Sequence, residues 1–293
     1  MKKKKKLLYA LLNASFVVSI ILFLFKNNIL KKLKTLRTYL EKRKSAINLI
    51  LEKSPKSFTP ENFHALRVEI KRMNALFDLL NYCSKKFKRK KNYTSFKLIF
   101  KQAGKIRELQ IEESLLAEQP NSHLLQAYRI HLKKLKTKEL RRFFAIVNKS
   151  FLKKLKKRYN KIIPLATIAS VKKVNQYTNK KRRAITKLMC KTKFKKMQMH
   201  SFRKRLKTYL YNEKILICES QNQTLQDKNI LSDLLGEWHD YEVVINHLKK
   251  GIKSNKTNPS VTKQLQVTKA ILTSKRELLF NKINATLPYQ TLL

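Results

Sequence analysis

Apolar residues recur at every third or fourth position along most of the chain, which is the spacing of the buried side of an α-helix. No stretch of useful length alternates apolar and polar residues as a strand would, so the fold is predicted to be all-α. Thr59 followed by Pro60 is typical of a helix start, because threonine caps a helix well and proline suits its first position. The predicted helices cover residues 29–52, 60–83, 92–118, 121–158, 167–193, 196–218, 225–252 and 259–286.

The N-terminus has a different pattern from the rest of the chain. Leu7 to Phe25 form an uncharged run of 19 residues behind the sequence MKKKKK. This length reaches the lower end of what spans a bilayer, and no small-residue cleavage site follows it. Residues 1–28 are therefore predicted to be a basic N-terminus with a membrane anchor, and the basic remainder of the chain to face the cytoplasm. A buried helix at this position is the alternative.

The charge of the chain narrows the choice of partners. Lys and Arg together number 68 against 18 acidic residues, a formal net charge of +50. Such an excess repels itself in a folded protein, so it indicates a polyanionic partner. Nucleic acid, anionic lipid and inorganic polyphosphate all satisfy this condition. A general lysine bias of the genome is the alternative explanation.

An internal repeat divides the chain into two related halves. FHALRVEIKRM, residues 63–73, aligns with MHSFRKRLKTY, residues 199–209, and AGKIRELQI, from Ala103, aligns with LGEWHDYEV, from Leu235. The alignment pairs His64 with His200, Arg67 with Arg203, Lys71 with Lys207 and Gly104 with Gly236. We therefore expect two homologous repeats of about four helices, residues 29–160 and 161–293, around a pseudo-twofold axis.

Two of the three glycines of the chain occupy equivalent positions in the repeat, inside predicted helices. A glycine within a helix costs about 1 kcal/mol relative to alanine. Its recurrence therefore indicates close helix packing, or a backbone that another group approaches.

The repeated basic residues form one edge of each predicted helix. At about 100° per residue, His64, Arg67 and Lys71 lie within about 60° of one another and border the apolar face. A border position lines a cleft between helices, although a basic run is also typical of a solvated face. Three such cations repel each other, and a bound anion would reduce this electrostatic repulsion. Glu108 and Asp240 are expected to pair with these cations or to fix the local helix, in preference to acid catalysis.

At these residues the chain resembles the CHAD domain, a histidine-containing α-helical family that binds inorganic polyphosphate. The resemblance covers roughly residues 29–287 and rests on His64-x-x-Arg67-x-x-x-Lys71-Arg72, His200-x-x-Arg203-Lys204, Gly104-x-x-Arg107-Glu108 and Gly236-x-x-His239-Asp240. It implies two pseudo-symmetric four-helix bundles around a basic central channel. Departures from the family pattern are Glu108 in place of aspartate, His239 in place of asparagine and Thr208 in place of a basic residue.

The resemblance also implies which residues contact phosphate. They are His64, Arg67, Lys71, Arg72, His200, Arg203, Lys204 and Lys207. Helical periodicity adds Arg107 to the polyphosphate-binding set, and it suggests that Lys97, Lys101, Lys105, Arg141, Arg142, Arg182 and Arg183 extend the lining.

The predicted function is non-catalytic binding of inorganic polyphosphate in a basic groove between the two repeats. The sequence contains no HExxH, P-loop or GxSxG motif, and it lacks the Glu-x-Glu-x-Lys metal motif of triphosphate hydrolases. The other histidines offer no clear ligand set, so neither a metal nor a cofactor is expected. The alternatives are a nucleic-acid-binding protein and a basic scaffold on anionic membranes. Nucleic acid is disfavoured because no aromatic residues interleave with the basic stripe.

Polyphosphate-related enzymes or granules are the further partners that this function suggests. The expected location is therefore the cytoplasmic side of the inner membrane, or a polyphosphate granule.

Overall fold

The computed structural model describes residues 36–119, 122–189, 194–216, 223–254 and 259–286, and all of its regular structure is helical. The prediction of an all-α fold is therefore confirmed, with no strand in these ranges. The α-helices are α1 (36–51), α2 (Pro60–Cys83), α3 (Arg89–Ala117), α4 (Gln126–Ile146), α5 (Lys149–Ile162), α6 (Val171–Met189), α7 (Lys196–Leu216), α8 (Gln223–Ser254) and α9 (Pro259–Thr286). Short 3-10 helices lie at Pro55–Ser57, Ser122–Leu125 and Ile163–Ile168.

The single helix predicted over residues 121–158 is wrong, because α4 ends at Ile146 and α5 begins at Lys149. The Asn148 side chain accepts a hydrogen bond from the Phe151 N–H at 2.9 Å, and its amide donates to the Ala145 carbonyl at 3.1 Å. Asparagine thus satisfies the backbone groups at both helix ends, and the chain can turn here without glycine or proline.

The start of α2 agrees with the sequence prediction. Pro60 is the first helical residue, and the Thr59 N–H donates to the Asn62 side-chain oxygen at 3.2 Å. This interaction satisfies a backbone donor at the helix start. It fixes the beginning of the helix one turn before His64.

Four helices bring the two copies of the repeat together. The apolar positions of the repeat are buried in both α2 and α7, and α2 packs against α3 and α7 while α8 packs against both α3 and α7. The two histidine-bearing helices therefore contact each other, and so do the two glycine-bearing helices. The division of the chain into repeats at residue 160 stays a prediction.

A buried polar cluster fixes α3 relative to α4 and α8. The Glu112 side chain is 1% exposed, accepts a hydrogen bond from the Tyr128 hydroxyl at 2.8 Å and hydrogen-bonds His247 Nδ1 at 2.8 Å. The hydrogen bond to Glu112 raises the pKa of His247 above its ordinary value. Because a buried carboxylate needs such partners, the cluster holds the three helices in one arrangement.

Among the residues that the structure describes, no helix is both long and apolar enough to cross a bilayer. The predicted anchor, Leu7 to Phe25, lies outside the described residues, so its role stays a prediction.

Candidate functional site

Helices α2, α3, α7 and α8 enclose a cavity of about 1020 Å³, which we call the trough. The basic edges of α2 and α7 both face it, so the two copies of the repeat converge on one cavity. Eight of the nine predicted binding residues line it: His64, Arg67, Lys71, Arg107, His200, Arg203, Lys204 and Lys207.

In the first half, Arg67 lies directly against the backbone of α3. Its Nη1 donates to the Phe100 carbonyl at 3.1 Å, and its guanidinium carbon lies 4.5 Å from the centroid of the Phe100 ring. A Cβ atom at Gly104 would lie 2.2 Å from Arg67 Nη1. Gly104 is therefore the residue that leaves room for the guanidinium, which agrees with the expected approach of another group to this backbone.

In the second half the equivalent contacts are looser. Among the described residues, a Cβ atom at Gly236 would meet only Lys207 Nζ, at 3.6 Å, which is ordinary van der Waals contact. The Nε of Arg203 is buried and has no hydrogen-bond partner in the described part of the chain. Arg203 lines the trough, but its guanidinium lacks the backbone contact that fixes Arg67.

The cations in the trough destabilise one another. Burial, followed by the charges of Arg67, Arg203 and Lys207, lowers the pKa of Lys71 to about 7. Burial also lowers the pKa of His64 and of His200, with further contributions from neighbouring cations. A phosphate oxyanion in the trough would raise these pKa values, since it supplies a counter-charge that favours the charged forms.

The acidic residues of the repeat lie among these cations, as expected. Burial raises the pKa of Asp240, while the charges of Arg203 and Arg107 oppose this shift. Glu108 lines the trough beside Arg67 and has an oxygen 3.8 Å from His247 Nε2. Both side chains therefore act as partial counter-charges within the basic site.

His239 occupies one of the three positions at which this sequence departs from the family pattern. Its ring centroid is 5.0 Å from that of His200, and burial followed by the charge of Arg203 lowers its pKa to about 3. His239 Nδ1 is buried without a hydrogen-bond partner among the described residues. This low pKa favours the neutral imidazole, so His239 adds no charge to the trough where Arg107 stands in the first repeat.

Arg72 is the predicted residue that does not line the trough. It follows Lys71 directly, so its side chain points about 100° further round α2, towards α1. There its Nη1 lies 2.6 Å from a Glu69 oxygen, and Arg43 of α1 binds the same carboxylate at 2.8 Å. Its guanidinium thus serves the contact between α1 and α2.

The further basic residues suggested by periodicity also lie elsewhere. Lys105 and Arg142 both pair with Glu139 of α4. None of the seven, Lys97, Lys101, Lys105, Arg141, Arg142, Arg182 and Arg183, lines the trough.

Several lining residues were missed by the sequence analysis. Arg89 and Tyr93 at the start of α3, Phe100, Tyr211 and Tyr241 all line the trough. Aromatic residues do not interleave with the basic stripe in the sequence, and the aromatics of the trough come from other helices or from a later turn of α7. The spacing of residues in α3 could have predicted part of this lining. Positions 89, 93, 100 and 107 lie within about 40° on one helix face, the face that carries Arg107.

Fold and trough together define an all-helical protein in which two copies of one basic motif meet in a single cavity. A model of the family described as the CHAD domain matches residues 46–249, and the chain belongs to this family. The family is generally linked to polyphosphate binding.

Two solved structures share the fold. The crystal structure of the CHAD domain from the plant Ricinus communis has a TM-score of 0.73 at 13% sequence identity, covering 87% of this chain and 91% of that one. PptA from Streptomyces chartreusis has a TM-score of 0.63 at 11% identity, covering 86% of this chain and 98% of that one. No relative was found among curated protein sequences.

Proposed function

We propose that the protein binds inorganic polyphosphate in the trough without catalysing its conversion. The eight lining residues predicted from the sequence would contact the phosphates. Arg203 would supply a planar fork suited to phosphate oxygens, and Lys71 and Lys207 would supply compact charges.

The observation that carries this proposal is the convergence of the two basic edges on one cavity. Arg67, Arg203 and Lys207 lie close enough to Lys71 to depress its pKa, although they belong to two different helices. An arrangement that accumulates partly buried cations is unfavourable for the free protein. A linear polyanion held between α2 and α7 would neutralise cations of both repeats at once.

Single-stranded nucleic acid is the second candidate, and the aromatic lining favours it. Tyr93, Tyr211 and Tyr241 are partly exposed in the trough, where bases could stack on them. The Phe100 ring is already in contact with the Arg67 guanidinium. Polyphosphate remains the better candidate, because the family is linked to it and the cations outnumber the accessible aromatic rings.

A titration at fixed salt with size-graded polyphosphate, single-stranded RNA and heparin tests the proposal. We expect micromolar or tighter binding of long polyphosphate, with affinity falling steeply as salt increases because counterions are released on binding. Tighter binding of RNA than of polyphosphate would favour the second candidate. Equal binding of all three polymers would mean that diffuse charge, and not the trough, is responsible.

The proposal includes the arrangement in two four-helix repeats and a location at the membrane or on polyphosphate granules. An anchor at residues 7–25 would hold the trough at the cytoplasmic face of the inner membrane, within reach of polyphosphate-related enzymes. Fractionation of cells that express the full chain, or a chain lacking residues 1–28, tests this location. Recovery of both proteins in the same fraction would argue against an anchor.

A further inference from the structure

Helix α3 provides one long stripe of residues along the trough. Positions 89, 93, 100, 107, 111 and 118 all lie within about 40° on one face of the helix. At about 1.5 Å per residue the stripe is about 43 Å long. Its charge changes sign along its length, from Arg89 and Arg107 to Glu118.

The two ends of the trough differ in chemistry. Lys71 and Lys207 lie in the cationic part, whereas no Lys or Arg appears among the described lining residues of α3 beyond Arg107. The cationic part also contains Asp233, Glu108 and Asp240, but each of these acids lies beside a lining cation: Lys207, Arg67 and Arg203, respectively. The lining residues at the second end are Ile111, Ser114, Leu115 and Glu118 of α3 with Glu237, Tyr241 and Val243 of α8.

The carboxylates of Glu118 and Glu237 at the second end both lie near Tyr241 of α8. The Tyr241 hydroxyl donates to a Glu237 oxygen at 3.1 Å, and the Ser114 hydroxyl donates to a Glu118 oxygen at 3.3 Å. Burial raises the pKa of Tyr241, and the charges of Glu237 and Glu118 add to this shift. This end of the trough therefore combines apolar walls with negative charge.

The other repeat carries lysines in place of these acids. Lys105 aligns with Glu237, and Lys250 is at the position of Glu118 when the same register is continued seven residues beyond the aligned stretch. Glu118 also follows the last residue of α3, where a negative charge is unfavourable next to the negative end of the helix dipole. A residue that is unfavourable for its own helix is a candidate for a functional role.

We propose that Glu118 and Glu237 terminate the anion-binding part of the trough, so that a polyphosphate chain lies between Arg89 and Arg107 and does not pass through the second end. This inference rests on the proposed function. Carboxylates repel phosphate, and apolar walls cannot replace the water that solvates its oxygens. Affinity should therefore rise with chain length only until the cationic part is filled.

The test compares the full chain with a Glu118→Gln/Glu237→Gln variant, using tripolyphosphate and long-chain polyphosphate as ligands. A Glu118→Lys/Glu237→Lys variant places the residues of the other repeat at both positions. The matched control is Glu41→Gln/Glu52→Gln, which removes the same charge from residues that do not line the trough, and Glu52 also follows a helix end. Circular dichroism melts confirm that each variant is folded.

We expect the Glu118→Gln/Glu237→Gln variant to bind long chains up to about fivefold more tightly than the control does, since a few tenths to one kcal/mol is typical of exposed charges. The lysine variant should gain more, and tripolyphosphate should bind all four proteins equally. The inference is overturned if the variant matches the control at every length, or if short and long chains gain equally. Failure of the unmodified protein to bind any chain would overturn the proposed function itself, and this inference with it.

Discussion

The two copies of the basic motif use the same residues in different ways. In the first half, Arg67 is fixed on the α3 backbone by its hydrogen bond to Phe100 and by the space that Gly104 leaves. In the second half, a side chain at Gly236 would meet only Lys207, and Arg203 Nε has no hydrogen-bond partner among the described residues. The comparison indicates that the first arginine contributes to the structure as well as to the site, whereas the second lines the trough without an equivalent backbone contact.

Single substitutions of the two arginines should separate these roles most clearly. Arg203→Ala is expected to weaken polyphosphate binding by about 100-fold, because charge-assisted hydrogen bonds contribute about 1.5–3 kcal/mol. Arg67→Ala should weaken binding as well, and it should also lower the free energy of unfolding by about 1–2 kcal/mol through loss of the Phe100 contacts. Titrations and thermal melts of both variants measure the two effects.

Equal destabilisation of the ligand-free protein by the two arginine substitutions would contradict the comparison. A purely ligand-binding role for Arg203 predicts an unchanged or raised melting temperature, since removal of a partly buried cation relieves repulsion.

Substitution of Gly104 should affect polyphosphate binding more than substitution of Gly236. In Gly104→Ala the new methyl group displaces the Arg67 guanidinium, so we expect polyphosphate affinity to fall about tenfold, by analogy with the loss of one net hydrogen bond. Stability should change little, because alanine favours a helix by about 1 kcal/mol over glycine and this offsets the displacement. In Gly236→Ala the affinity should stay within about twofold, as for most substitutions without a close contact.

Calorimetric titration of both glycine variants, with melts of the free proteins, checks this difference. If both variants lost affinity equally, the space at Gly104 would have no special importance for Arg67.

Proton uptake at Lys71 gives a smaller, pH-dependent effect. Lys71 titrates at about pH 7 in the folded protein but near 10.5 in the unfolded chain. Between these values the unfolded chain binds more protons, so the free energy of unfolding of the ligand-free protein should rise with pH. Bound phosphate favours the charged lysine, so polyphosphate affinity should fall with rising pH, by at most about tenfold per unit for one proton.

The control for this effect is Lys71→Arg, since a guanidinium stays charged throughout the range. Dissociation constants should be measured from about pH 7.5 to about pH 9 at constant ionic strength, and their pH dependence should be weaker in this variant. This pH range lies above the one in which His64 and His200 titrate. An identical slope in both proteins would assign the proton to another group.

The sequence was sufficient to predict the trough because helical spacing fixes which residues share an edge. His64, Arg67 and Lys71 keep that relation in the fold, and duplicated helices present the same edge to a shared cavity. Gly104 was informative for the same reason, since a glycine in a helix interior needs an explanation in packing.

The remaining site residues depend on how the helices are arranged. Arg72 differs from Lys71 by one position, but its direction is decided by Glu69 and by Arg43 of α1, more than twenty residues earlier. Arg89 lies fifteen residues before Gly104 and becomes part of the site only because α3 runs the length of the trough. The helix break at Asn148 depends on hydrogen bonds of the asparagine side chain. No glycine or proline marks this break in the sequence, so helical periodicity did not predict it.

The most direct test of the central claim is a pair of double variants that each remove two positive charges. Arg67→Ala/Arg203→Ala alters the trough, and Lys133→Ala/Lys138→Ala alters the exposed surface of α4, outside it. With long polyphosphate at physiological salt, we predict a loss of at least about 100-fold for the arginine variant and less than about threefold for the lysine variant. Equal losses would show that the polymer senses total charge, and they would contradict a binding site in the trough.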